Sequence, residues 1–142
     1  MKNALLVIVT ALVVLAALMP LAAQTQTVRI PIIEAREYYM AYLVDAVGIK
    51  NELRSPTADD QYLGKVLVVH GVVAHVRKGG PGGAYLELIG LGFFETVTAD
   101  LQSRELGRAA QLSAGDGVTL VCEGAGPAML AKCRIAPKGT KF

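Results

Sequence analysis

The side chains best equipped for chemistry are few, and the two cysteines, Cys122 and Cys133, come first. Set opposite each other in an antiparallel hairpin, they place Glu123 opposite Lys132 and Leu120 opposite Ile135, so charge meets charge and apolar meets apolar. Strand alternation then puts Val118, Leu120, Met129, Ala131 and Ile135 on the cysteine face, with Glu123, Lys132 and Arg134 on the other. In an oxidising compartment such a pair closes as a structural disulfide; two buried free thiols, or a metal or redox pair, are the alternatives.

His70 and His75 are the two histidines. Five residues apart on one strand, they point to opposite faces and cannot share an ion unless the strand bends between them, so no metal site is expected. The segment Lys78-Gly79-Gly80-Pro81-Gly82-Gly83 is rich in glycine, but a phosphate loop needs Gly-Lys followed by Ser or Thr at a helix start, and here a strand follows. It reads as a hairpin turn. Arg77, Lys78, Tyr85 and Phe94 around it combine basic and stacking groups, the ingredients for gripping single-stranded nucleic acid, against the plainer reading as strand and core residues. Glu87 and Glu95 are candidates for a carboxylate pair, but exposed strand carboxylates are the commoner outcome. Ser55, Ser103 and Ser113 sit in no nucleophile elbow. No catalytic constellation, cofactor motif or ligand cluster emerges, and a non-enzymatic protein is expected.

The elements that must position these groups begin after an unusual N-terminus. Lys2 precedes an apolar run over residues 4–19, interrupted by Thr10 alone, then Pro20, Leu21-Ala22-Ala23 and a polar Gln24-Thr25-Gln26-Thr27. This is the layout of a secretory signal peptide, with cleavage expected between Ala23 and Gln24. An uncleaved inner-membrane anchor formed by residues 4–19 is the alternative, because the run approaches the roughly 18 residues that suggest a span. Neither cysteine is near the junction, so a lipid-anchored form is not expected. Cleavage leaves about 119 of the 142 residues, one ordinary domain, periplasmic or secreted. With 14 basic and 12 acidic side chains, formal net charge +2, the chain lacks the footprint of a dedicated polyanion binder.

Residues 24–32 read as a linker and 33–54 as an amphipathic helix packing on the domain. Ala35, Tyr39, Tyr42, Ala46 and Ile49 recur at helical spacing, and Glu34 and Glu37 favour the dipole. Tyr38, Tyr39 and Tyr42 cluster there, as packing groups or as a partner-binding stripe. Ser55-Pro56 has the form of an N-cap followed by proline at the first helical position, opening a short turn to Gln61. Residues 65–76 form a long strand, with Val66, Val68 and Val72 on one face and Leu67, Val69 and Val73 on the other. Apolar on both sides, it must be covered on both, which a bend at Gly71 into two packed sheets achieves. Strands over 85–89 and 94–99 follow, then helical spacing over 101–112, then strands over 118–124 and 129–135.

That order, β-β-β-α-β-β, is the one used by the five-stranded OB-fold barrel. The expected fold is therefore mainly β with helices: an OB-fold barrel over residues 55–137, preceded by the amphipathic helix and the signal helix, and followed by a tail at 138–142. The stretches Ala58-Asp59-Asp60-Gln61-Tyr62-Leu63-Gly64-Lys65-Val66 and Leu112-Ser113-Ala114-Gly115-Asp116-Gly117-Val118, together with Cys133 in the last strand, resemble the tRNA_anti-like family of small, commonly exported bacterial OB-fold proteins. The resemblance spans residues 58–135. It implies a barrel related to anticodon-binding domains without implying tRNA as ligand. The expected function is a non-catalytic binding module of the bacterial envelope, its partner a protein or small ligand; single-stranded nucleic-acid binding is the alternative.

Overall fold

A computed structural model describes residues 29–47 and 57–142. The expected signal segment, its Ala23–Gln24 junction, most of the linker, Ile49, Ser55 and Pro56 lie outside the described residues. The elements are β1 (Ile32–Glu34), α1 (Ala35–Val47), α2 (Ala58–Tyr62), β2 (Val66–Lys78), β3 (Ala84–Ile89), β4 (Thr96–Leu101), a 3-10 turn (Ser103–Glu105) running into α3 (Leu106–Ala109), β5 (Gly117–Gly124) and β6 (Met129–Ile135).

The strands pair in the order β1-β2-β3-β4-β6-β5, and β5 returns to β2. Five strands, β2 to β6, thus close a barrel, with β4 and β6 parallel and the other closing pairs antiparallel. This is the OB-fold arrangement. Its interior is filled by Leu67, Val69, Val73, Leu86, Leu88, Val97, Ala99, Leu101, Leu120 and Leu130 together with both cysteines.

β2 makes closure possible. Its valines favour extended backbone, and its two halves serve different neighbours: Val66 to Val72 pair with β5, and Val73 to Lys78 pair with β3. Gly71 stands at the handover, where a β-carbon would come within 3.1 Å of Leu88 Cδ1 and 3.3 Å of Ala35 Cβ. The register slips between Val73 and His75, leaving Ala74 as an extra, buried residue that strengthens the bend. The expectation that both faces of β2 are covered holds for Leu67, Val69 and Val73 on the inner face and, on the outer face, for Val68 alone. Val66 and Val72 are exposed, whereas Val68 is buried with Ile32 and Val121 on either side of it in the sheet.

β1 departs from the expected linker and helix start. Residues 32–34 add a short parallel strand to the edge of β2 that β3 leaves free, and the helix begins at Ala35. With that start, Ala35, Tyr38 and Tyr42 face the barrel; Tyr39 is half-buried and Ala46 exposed. The Tyr38 ring meets those of Tyr42 and Tyr62 at 5.2 and 5.3 Å between centroids. The tyrosines therefore serve packing. α2 is capped by Thr57 rather than Ser55: Thr57 Oγ1 accepts from Asp60 N at 3.1 Å, and Asp60 Oδ2 accepts from Thr57 N at 3.0 Å, a reciprocal capping box. Ala58 N donates to Asp45 Oδ2 at 2.7 Å, tying α2 to α1.

Between β4 and β5 the expected helix over 101–112 contracts to a 3-10 turn and one α-helical turn, since Leu101 is taken into β4 as a buried strand residue. In the last hairpin, Cys122 and Cys133 are joined by a disulfide, with Cα atoms 4.1 Å apart, and Leu120 faces Ile135. Beyond the bridge the register changes. Glu123 faces Ala131, not Lys132, because Lys132 adopts φ 52° and bulges out. The slip inverts the alternation upstream of it: Leu130 is buried, whereas Met129 is exposed and Ala131 half-buried. Lys132 Nζ still reaches Glu123 Oε2, at 3.4 Å.

Candidate binding surface

In an OB-fold the face of the second and third barrel strands, flanked by the loops after the first and fourth strands, is the usual ligand platform. Those strands are β3 and β4, and their alternation fixes what the platform presents. Leu86, Leu88, Val97 and Ala99 point into the barrel, and Tyr85, Glu87, Ile89, Thr96, Thr98 and Asp100 point out. Across the strands the outward residues align in rows: Arg77–Tyr85–Asp100, His75–Glu87–Thr98 and Ile89–Thr96.

Glu87 is the hub of this face. Its Oε1 accepts from Arg77 Nε at 3.0 Å, and its Oε2 lies 2.8 Å from His75 Nδ1; the carboxylate is only 20% exposed. The Arg77 charge is therefore held by a neighbour. Asp100 adds a second carboxylate beside Gly80 in the glycine-rich turn. That turn closes as a hairpin loop through Gly79 N to Gly83 O at 3.0 Å, with Gly79, Gly80 and Gly83 all at positive φ, and carries Lys78 at its edge.

Arg77, Lys78 and Tyr85 thus share one end of the β2–β3 hairpin. Phe94 does not join them. It sits in the β3–β4 loop at the far end of β3, roughly 17 Å along the strand at about 3.3 Å per residue. Residues 94 and 95 belong to this loop rather than to the strand expected over 94–99, which starts at Thr96. Phe94 is 100% exposed, Phe93 59% and Leu91 40%. Sequence reasoning singled out Phe94 and passed over Phe93 and Leu91, although a turn spelled Leu-Gly-Phe-Phe carries more apolar surface than a tight turn uses.

Glu87 and Glu95 are not brought together: Glu87 faces Thr98 in mid-strand, while Glu95 lies in the loop, where its carbonyl accepts from Gly90 N at 2.9 Å. His70 and His75 are also apart. His70 Nδ1 lies 2.8 Å from Thr119 Oγ1 on the β5 side of β2, while His75 belongs to the β3 side. No group of three or more histidine, cysteine or carboxylate side chains suited to a metal ion occurs among the described residues. Ser113 contributes its backbone N–H to Asp116 Oδ2 at 2.8 Å, closing the turn before β5, and Ser103 opens the 3-10 turn.

A family model described as tRNA_anti-like matches residues 1–134, from the N-terminus to the end of the barrel. The chain belongs to the tRNA_anti-like family. Nine solved chains match this member of the family. One is the crystal structure of a lipoprotein from Klebsiella pneumoniae subsp. pneumoniae MGH 78578, to which nucleic-acid binding is provisionally assigned. It is similar at 16% identity with a TM-score of 0.54, over 76% of this chain and 92% of that one. At that identity the likeness concerns the barrel. Comparison with curated proteins finds no match. No helix among the described residues is long and apolar enough to cross a membrane.

Proposed function

We propose that this tRNA_anti-like protein is an exported, non-catalytic binding module of the bacterial envelope that engages a protein partner through its β3–β4 hairpin. The observation that carries this reading is the loop tip. Phe94, wholly exposed, stands beside Phe93 and Leu91, and exposed aromatic clusters of this kind are the anchors around which protein interfaces form. The adjoining platform has its strongest charges already matched, Glu87 with His75 and Arg77, so a partner docking there meets little unpaired charge. Export is supported by the Lys2-led apolar segment and the small residues before Gln24.

The test places a photo-crosslinking side chain at position 94, and at position 78 as control, in the full chain expressed in its native cells. A single discrete adduct from position 94, found in the periplasmic fraction and absent from position 78, supports the reading. A chain retained in the cytoplasm with its first residues intact removes the export claim, and no adduct from position 94 removes the hairpin. Single-stranded nucleic acid is the second reading, favoured by the provisional assignment of the Klebsiella lipoprotein and by Arg77, Lys78 and Tyr85 on one hairpin end. Arg77 is already taken up by Glu87, and Asp100 adds a carboxylate to the same face, which weighs against it, since carboxylates repel a phosphate backbone. Steeply salt-dependent oligonucleotide binding lost in Lys78→Ala would favour it over the protein partner.

A further inference from the structure

The densest unmatched positive charge lies away from the β3–β4 platform, where the 3-10 turn and α3 face β6 and the C-terminal tail. Arg104 and Arg108 are four residues apart, and Arg134 projects from the outer face of β6 opposite Val121. Together they line a cleft of about 480 Å³, within the range of small-molecule sites. The tail forms its other wall and brings Phe142, about half exposed, to the same cleft.

Charge bookkeeping in the cleft is one-sided. Glu105 is the one side-chain carboxylate lining it; its side chain is 8% exposed, and it stands 3.8 Å from Arg108 Nη1, which also donates to the Ile135 carbonyl at 2.8 Å. Arg108 is thereby fixed in place. Glu105 Oε2, the oxygen nearest Arg108, is buried and accepts no hydrogen bond. Arg104 and Arg134 pair with no carboxylate among the described residues and remain exposed. Among the lining side chains, three guanidinium groups stand against one carboxylate, a side-chain balance of +2 that a terminal carboxylate on Phe142 lowers to +1.

We propose that this cleft binds a phosphate monoester with a small apolar or aromatic body. Guanidinium groups match phosphate oxygens in bidentate geometry. A phosphate monoester carries about −1.5 to −2 charge at neutral pH and three strong acceptor oxygens, which gives three guanidinium groups more to bind than a carboxylate or a phosphodiester does. The apolar body is accommodated by Val121 and the Phe142 ring. The cleft shares no residue with the β3–β4 platform, so the two assignments stand or fall separately.

Calorimetric titration of the folded protein with phenyl phosphate and with inorganic phosphate tests the assignment, together with sedimentation on phosphatidylcholine vesicles with and without phosphatidic acid. Phenyl phosphate is expected to bind, and either Arg134→Gln or Arg104→Gln to weaken it by about tenfold or more, equivalent to about 1.4 kcal/mol. Both side chains are exposed, so these variants should fold, which a melt checks. Phe142→Ala should weaken phenyl phosphate more than inorganic phosphate, and Lys78→Ala should change neither. Arginine-dependent pelleting only with phosphatidic acid assigns the monoester to a lipid headgroup; arginine-dependent binding in solution without pelleting assigns it to a free ester. Absence of binding in both formats, binding equal in the wild type and both arginine variants, or tighter binding of a single-stranded oligonucleotide than of phenyl phosphate overturns the proposal.

Discussion

The Tyr38 hydroxyl on α1 lies 2.8 Å from the carbonyl oxygen of Gly126, 88 residues further along, and at the same distance from that of Met129. One proton serves two carbonyls, of Gly126 in the β5–β6 loop and of Met129 at the start of β6, so the helix before the barrel is bonded to the hairpin of its last two strands. Tyr38 is completely buried, and its ring packs on Tyr42 and Tyr62. Tyr38→Phe keeps the ring and removes the bond. Each carbonyl keeps a backbone donor, Met129 N for Gly126 and Ala125 N for Met129, so the loss should be moderate, about 1–1.5 kcal/mol. Tyr38→Ala removes the packing as well and should cost about 3–5 kcal/mol. Urea denaturation of the two variants checks the ratio; equal losses would mean that the hydroxyl carries nothing.

Gly124 is the second place where elements distant in sequence meet without room for a side chain. Its N–H donates to Lys65 O at 3.0 Å and its carbonyl accepts from Gly64 N at 2.8 Å, while a β-carbon would run into the Tyr62 carbonyl. The obstacle is backbone on both sides, which cannot swing aside like the end of a side chain. Gly124→Ala should therefore destabilise by about 1–3 kcal/mol and raise amide exchange at Gly64 and Gly124 while leaving β3 and β4 protected. Hydrogen exchange resolved by residue checks this.

These contacts mark where sequence stops being informative. The long valine-rich β2, its glycine and the β-β-β-α-β-β order are local patterns, and the barrel follows from them. β1 was not legible, because three residues at an edge take their conformation from the free side of β2 and not from their own propensity. Strict alternation turns Met129 and Ala131 of β6 inward, and the bulge at Lys132, whose positive φ nothing in a lysine announces, reverses that. On the platform, Arg77, Lys78 and Tyr85 were legible as neighbours across a short hairpin. Phe94 was grouped with them because sequence proximity hides the length of β3 between. The Arg104, Arg108 and Arg134 cluster was invisible, since β6 and α3 meet only once the barrel closes.

Burial raises the titration range of Tyr38, Tyr42 and Tyr62 above that of a free tyrosine; for Tyr42 the hydrogen bond donated to Asp59 Oδ1, at 2.9 Å, raises it further. The neutral phenol is the form that the fold holds. Above about pH 10 the unfolded chain gives up these protons while the folded chain keeps them, so the unfolded state binds fewer protons and stability falls as pH rises. Below about pH 9 the contribution is fully present. Stability should be flat with respect to these groups up to about pH 9 and then decline, by up to about 1.4 kcal/mol per pH unit for each tyrosine. Urea midpoints measured from pH 8 to pH 12 check the curve, and Tyr42→Phe should flatten its alkaline limb. An unchanged limb in that variant would assign the decline elsewhere.

The Cys122–Cys133 bridge closes a short loop between neighbouring strands of the barrel, with both sulfurs in the core beside Leu120 and Leu130. In the chain-entropy model, a ring of this size limits the unfolded state enough to add about 3 kcal/mol to stability. The hairpin does not depend on the bridge for its pairing, because Leu120–Ile135 and Gly124–Leu130 hold it on either side. Reduction should therefore weaken the domain without changing its fold. Cys122→Ala with Cys133→Ala is expected to lower the melting temperature by roughly 12–24 °C at about 4–8 °C per kcal/mol, with an unchanged far-ultraviolet spectrum. Intact-mass analysis after alkylation without reductant should find no free thiol in protein isolated from an oxidising compartment. Two alkylated cysteines in that protein, or an identical melt for the double variant, would remove the bridge from the account of stability.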